Sequence, residues 1–398
     1  MTSARRVSLV LLTLSLCLAC AFDPGEQGAV VRDSLGIQIV ENRQPVWGEG
    51  EGWRVSPEPL LDLGAVEGDP VLQFHNVSDA TRLSDGRVVV ANGGSNELRY
   101  FDAAGEFLLS VGRDGEGPGE FRVLVWIEAT AADSVVAYDW DLFRISVVDP
   151  QGTFVRSYQI RQIAEQEFLY ATGLFADGSL LAQTLGGRPR MGAYRDTLTY
   201  YRLREGGAEA DRLGRFVGGE KFFWSEGNNR GLADHPFGRA SHTAAGDGLF
   251  LHGTADAYEL ALHALDGSVV RLVRKQHTPL RVTAGDIEAY REDKLSTARE
   301  FWAGLFPHIT FPEAMPAYRR ALLDREGHIW VEEYRRPSDD MPRWTVFTPD
   351  GQLLGTLTAP KGLWIYEIGA DYLLGRWRDE LDVEHVRLYN LRKIPEVN

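Results

Sequence analysis

The feature that most constrains this chain is a recurring unit in which a short Asp- or Gly-bearing turn precedes an alternating run of β-branched and aromatic residues. Alternation with period two is the signature of a strand that buries one side. The clearest unit is residues 80–112, ATRLSDGRVVVANGGSNELRYFDAAGEFLLSVG. It divides into four short strands at Asp85-Gly86, at Asn92 to Ser95 and at Asp102 to Gly105. The glycines supply the positive φ that tight turns between antiparallel strands require.

Equivalent second strands begin at Arg87, Ser134, Ser179, Leu249, His328 and Tyr372, at spacings of 47, 45, 70, 79 and 44 residues. Three spacings agree, and the other two fit the same unit with insertions. Five units continue through a third strand, a turn and a fourth strand, whereas the sixth stops after VEHVRLYNLRK. Its missing strand is expected at the front. PLLDLGAVEGDPVLQF, residues 59–74, echoes FLLSVGRDGEGPGEF, residues 107–121, so residues 60–64 should supply the last fourth strand. A four-stranded repeat near 45 residues that closes on itself reads as an all-β, six-bladed β-propeller spanning residues 53–398. Closure hides sheet edges that an open array would expose.

The N-terminus, MTSARRVSLVLLTLSLCLAC, pairs Arg5 and Arg6 with an apolar run from Val7 to Ala19. As a helix that run reaches about 20 Å, short of a ~30 Å hydrocarbon core, so it reads as an export signal rather than a span. Both cysteines, Cys17 and Cys20, lie there, which leaves no disulfide or thiol chemistry for the folded part. A signal of residues 1–20 ending at Cys20 resembles that of a bacterial lipoprotein, in which Cys20 is lipidated and anchors the chain. The expected location is therefore the periplasm or outer surface of a bacterial envelope, with membrane contact only through that lipid. Residues 21–52 read as an N-terminal connecting segment.

Gly115–Phe121 (GEGPGEF), with VAN, NELRYFD and GEFL in the first unit and DREGHIWVEEY with WTVFTPDGQLLG in the fifth, resembles NHL-like repeats of bacterial exported six-bladed propellers. The resemblance spans residues 50–393 and implies a fold; its motifs specify turns and packing, and no activity comes with it.

In such blades the first-to-second and third-to-fourth turns share one end, and these are short. Every insertion falls at the other end: residues 184–196, 214–235, 334–343 and 376–380, and a helical insertion at about 284–306 opened by a Thr283/Asp286 capping pattern. Elaborated loops on a rigid scaffold are where binding concentrates. The candidate ligand-binding face is therefore the long-loop end, with Trp140, Arg188, Trp224, Arg335, Arg336, Trp377 and Arg378 offering ring contacts and bidentate hydrogen bonds to a peptide, glycan or envelope protein.

The alternative is a metal-dependent hydrolase, lactonase or lyase, with calcium held in the central channel by oxygens of Glu128, Asn92, Asp139, Asp256, Glu333 and Glu367. His235, His242, His252 and His263 cluster in sequence but lack metal-ligand spacing. There is no Gly-x-Ser-x-Gly elbow, and Gly115–Gly119 lacks the Lys and helix of a phosphate loop. A formal charge of -15 argues against nucleic acid as partner. No catalytic residue or obligatory cofactor is expected.

Overall fold

Each turn-bounded run pairs with its sequence neighbour, so local alternation converts directly into meandering antiparallel sheets. The computed structural model describes residues 28–160, 168–207, 209–227, 229–336, 339 and 341–393. The predicted signal and Cys20 lie outside them. Six sheets follow one another along the chain. Their first strands are Val77–Arg82, Leu124–Ala129, Leu169–Leu174, His242–Ala245, Tyr318–Leu323 and Trp364–Ile368, and we number the sheets one to six in that order. First strands of adjacent sheets meet, those of sheets two and three and of five and six through side-chain hydrogen bonds, and those of sheets six and one also touch, which places them around a common axis. The fold is a β-propeller.

Closure occurs as the sequence implies. Leu61–Leu63 pairs antiparallel with Glu384–Arg392, setting Leu63 against Val386 and Leu61 against Leu388. Arg54–Val55 extends the same pairing further along that strand. Leu63, Val386, Leu388, Leu374 and Tyr372 then pack against Phe74, Val77, Val88, Val90 and Phe101 of sheet one. The core is thus divided into clusters between sheets. One of them sets Trp53 of the incoming segment against Trp330, Trp344, Leu373 and Tyr389.

The connecting segment at 21–52 contains a hairpin, Ala29–Ser34 with Ile37–Asn42. Its second strand pairs in parallel with Val269–Lys275, making sheet four six-stranded. The chain then crosses the outer edge of sheet five, where Val46 and Trp47 donate to the carbonyls of Leu353 and Leu354. The 214–235 connection is largely strand. Gly192–Leu203 and Ala210–Glu226 form a long hairpin, and Asn229–Asp234 returns along it.

The helical insertion forms α1 (Ala284–Thr297) and α2 (Arg299–Leu305), broken at Ala298, where φ is -149°. Thr283 and Asp286 make the reciprocal cap. Leu305, Phe306 and Ile309 pack on Phe222 of the long hairpin, with Trp224, Tyr290 and Trp302 around them. This second core roofs one sector of the long-loop end. Among the described residues no helix is long and apolar enough to cross a membrane.

Leu63 is 2% exposed in the closing strand, while neighbouring Leu60 is 64% exposed. Leu63→Ala should cost about 2–5 kcal/mol in urea unfolding, and Leu60→Ala should stay within about 0.5 kcal/mol. Equal effects would contradict closure by this strand.

Candidate functional site

The first strands carry Asp79, Glu128, Arg320 and Glu367, and their register decides where some of these side chains go. Sheet one slips by a residue between Val77 and Asp79, and sheet six between Ile365 and Glu367. These bulges turn the Asp79 and Glu367 carboxylates towards neighbouring sheets. Asp79 accepts from its neighbour Ala80 N at 2.8 Å and from Ile127 N of sheet two at 3.0 Å. Glu128, on sheet two, accepts from Leu174 N of sheet three at 3.0 Å. Glu367 accepts from Thr81 Oγ1 of sheet one at 2.6 Å, from Arg325 at 2.9 Å and from the Tyr372 hydroxyl. On the opposite side Arg320 of sheet five donates to Ile365 O of sheet six. Each charged side chain therefore ties its sheet to the next.

Asp79, Glu128 and Glu367 lie deep in the protein yet retain some accessible surface, as groups lining a narrow channel do. Burial, with the nearby Glu367 charge, lifts Asp79 to about 7 despite its two backbone donors. Burial lifts Glu128 to about 8, with the charges of Asp79 and Glu367 adding to the effect. Burial lowers Arg320 to about 10 and His242 of sheet four to about 4.

Of the six oxygen donors expected to hold calcium, Glu128 and Glu367 meet in this belt, joined by Asp79, which the sequence reading missed. The other four serve their own loops and neighbours. Asn92 accepts from His75 N at 2.9 Å, and Asp139 accepts from Arg122 N at 2.6 Å and Leu142 N at 2.9 Å. Asp256 pairs with Arg195 at 2.7 Å and Arg239 at 3.1 Å, and Glu333 binds Lys275 at 2.8 Å and Tyr258 at 2.9 Å.

Among the described residues, ligand atoms of Asp324, Glu326 and His328 lie within 4.8 Å of one another. Lys393 already supplies a cation there, 3.3 Å from Asp324 and bonded to Glu326, with Trp53 covering its ammonium at 4.5 Å. That group clasps the end of the chain to sheet five. Among the described residues His235, His242, His252 and His263 form no metal-ligating group: His235 meets Thr310 O at 2.8 Å and His242 packs near Tyr318, while His252 and His263 contact each other, ring centres 6.5 Å apart, and both pack on Phe216.

The aromatic and arginine set is dispersed over the long-loop end. Trp140 packs between Phe143 and Tyr170, and Trp224 stacks on His308 at 4.3 Å. Arg188 is exposed. Arg336 binds Asp286 and thereby ties its loop to α1. Trp377 donates to Lys361 O at 3.1 Å beneath the Arg387 guanidinium. Arg335 reaches Glu332 at 3.5 Å, and Arg378 reaches Glu384 at 2.7 Å. A cleft of ≈ 520 Å³ opens between sheets six and one, lined by His75, Asn76, Gly94, Arg378 and Glu384 among others.

The raised carboxyls give a signed pH dependence. Folded Asp79 and Glu128 hold protons that the unfolded chain has already released above about pH 5. Their contribution to stability is therefore lost as pH rises through about 7 and 8. Below pH 6.5 the depressed histidines act oppositely, so the informative window is 6.5 to 8.5. Thermal unfolding should show a falling Tm across that window, and Glu128→Gln should flatten the fall. An unchanged slope in the variant would contradict the assignment.

No protein-family model matches the chain, and no curated protein matches it. Among solved structures it is similar to a member of the DUF4221 family from Bacteroides vulgatus, at 11% identity and TM-score 0.52, over 86% of this chain and 99% of that one. An exported-protein candidate from Bacteroides fragilis gives 11% identity and TM-score 0.48 over 90% and 100% of the two chains. Virginiamycin B lyase from Staphylococcus aureus gives 8% identity and TM-score 0.41 over 86% and 100%. At such identities the likeness shows the fold alone.

Proposed function

We propose that this chain is an exported, six-bladed, NHL-like propeller, lipid-anchored at Cys20, that holds an extracytoplasmic peptide or glycan at its long-loop end. The observation that carries this reading is the ≈ 520 Å³ cleft between sheets six and one, with Arg378 on its wall. Concave sites with a few convergent polar groups are the usual setting for small-ligand binding. The loops that elaborate this end are long, whereas the described turns of the opposite end are short, so selection of a partner has material to act on here. Export rests on the Arg5-Arg6 and Val7–Ala19 pattern.

Cell-wall peptides and neutral and acidic oligosaccharides, titrated calorimetrically, test the binding reading. A ligand that binds with micromolar or tighter affinity, and loses at least tenfold on His75→Ala with Arg378→Ala, is the expected result. Undiminished binding by that variant would contradict the site. For the anchor, Cys20→Ser should abolish labelling of the full chain by a fatty-acid analogue, and persistent labelling would overturn it.

One observation favours a second reading, hydrolase or lyase chemistry in the channel. Asp79 and Glu128 titrate near neutrality, where a carboxyl can act as general acid or base. If calcium supported such chemistry, chelation would lower Tm and added calcium would restore it by mass action. The binding reading expects no change.

A further inference from the structure

The chain carries a formal charge of -15, yet guanidiniums concentrate where sheets five and six meet at the long-loop end. Arg319 and Arg320 are consecutive in the first strand of sheet five, whose register slips between Tyr318 and Arg320 and leaves Arg319 unpaired in the ladder. Glu332 lies opposite Arg320 on the next strand, and Trp344 opposite Glu332 on the third. Arg335 follows in the loop. Arg319 reaches Glu332 Oε1 at 2.8 Å and Arg335 reaches the same oxygen at 3.5 Å. Two guanidiniums thus share one carboxylate, which is itself 4% exposed, and the same charge acts on the neighbouring Arg320.

The Nε atoms of Arg320 and Arg335 are buried and have no hydrogen-bond partner among the described residues. Arg320 is partly buried, with its guanidinium 4.3 Å from the Trp364 ring centre and 5.6 Å from that of Trp344. Trp364 nevertheless leaves 41% of its surface exposed. Burying an arginine without filling its donors is costly, and ring contacts offset only part of that cost. Charge balance alone does not account for an excess of cations here, since the chain has acidic residues in surplus.

We propose that Arg319, Arg320 and Arg335 form a binding site for an oxyanion, a carboxylate or sulfate group on a small ligand whose body lies against the exposed part of Trp364. Guanidiniums match such groups with paired, charge-assisted hydrogen bonds. The proposal rests on the reading of the long-loop end as the binding end and names the chemistry recognised there. Glu332 has two consequences. It holds Arg319 and Arg335 in place before a ligand arrives, and it competes with that ligand for their donors.

The test is calorimetric titration of the purified chain with sodium glucuronate, sodium sulfate and glucose, at ionic strength matched with sodium chloride. Saturable binding of glucuronate or sulfate, and none of glucose, is expected. Tighter glucuronate identifies a carboxylate as the group recognised, and tighter sulfate identifies a tetrahedral oxyanion. Arg319→Gln with Arg335→Gln should weaken binding at least tenfold. Because that variant leaves Glu332 buried with fewer partners, Glu332→Gln provides the second arm: it removes the competing carboxylate and should tighten anion binding several-fold, an effect that a purely structural ion pair would not produce. No saturable binding by either anion, or weaker binding in Glu332→Gln, would overturn the proposal. Binding abolished by Arg378→Gln but retained in the Arg319/Arg335 variant would overturn this site while leaving the binding end intact.

Discussion

A charge taken out of water must find a partner, and much of this molecule's organisation follows from that requirement. Sheets arranged around an axis bring their first strands together, where little room remains for solvent. Glu367 meets the requirement by accepting from Thr81, Arg325 and Tyr372, and Asp79 and Glu128 by holding a proton up to about pH 7 and 8 while accepting a hydrogen bond from the next sheet. The same bonds that satisfy the carboxylates hold the ring together. Arg320 does the reverse, donating to Ile365 O, but its Nε is left over. The carboxylates are thus absorbed into structure, while the guanidiniums of sheet five are only partly absorbed.

Closure supplies the second constraint. Without Leu61–Leu63, the final strand Glu384–Arg392 would present an open edge where sheet six meets sheet one. The N-terminal part of the chain secures more than that seam. It lays a hairpin on sheet four, crosses sheet five at Trp47 and delivers Trp53 to the cluster around Trp330. Lys393 then fastens the other terminus to Asp324 and Glu326. Sheets four, five and six are therefore bound from outside by the N-terminal segment.

The sheets and the closing strand were legible because their information is local: turn residues and alternation mark each strand, and the echo between residues 59–74 and 107–121 marks the displaced one. Residues 21–52 were read only as a connecting segment, so the hairpin at 29–42 was missed although AVVRDSLGIQIVEN alternates around Leu35-Gly36; its parallel partner at 269–275 is more than two hundred residues away, and no local pattern names it. Asp79 was missed because its direction depends on a register slip that only strand pairing reveals. Arg335 was picked from its loop, whereas Arg319 and Arg320 sit within YRRALL and read as an ordinary strand. Their meaning comes from Glu332 and Trp364, which only pairing and sheet-to-sheet packing bring alongside.

The account holds that buried charges satisfied within the protein build the scaffold and that those left partly unpaired face a ligand. Crystals soaked in selenate, an anomalously scattering oxyanion, test this most directly. The expected result is an anomalous peak within hydrogen-bond reach of Arg320 Nε or Arg335 Nε at the meeting of sheets five and six. Selenate peaks confined to exposed arginines such as Arg188, with none at that meeting point, would contradict it.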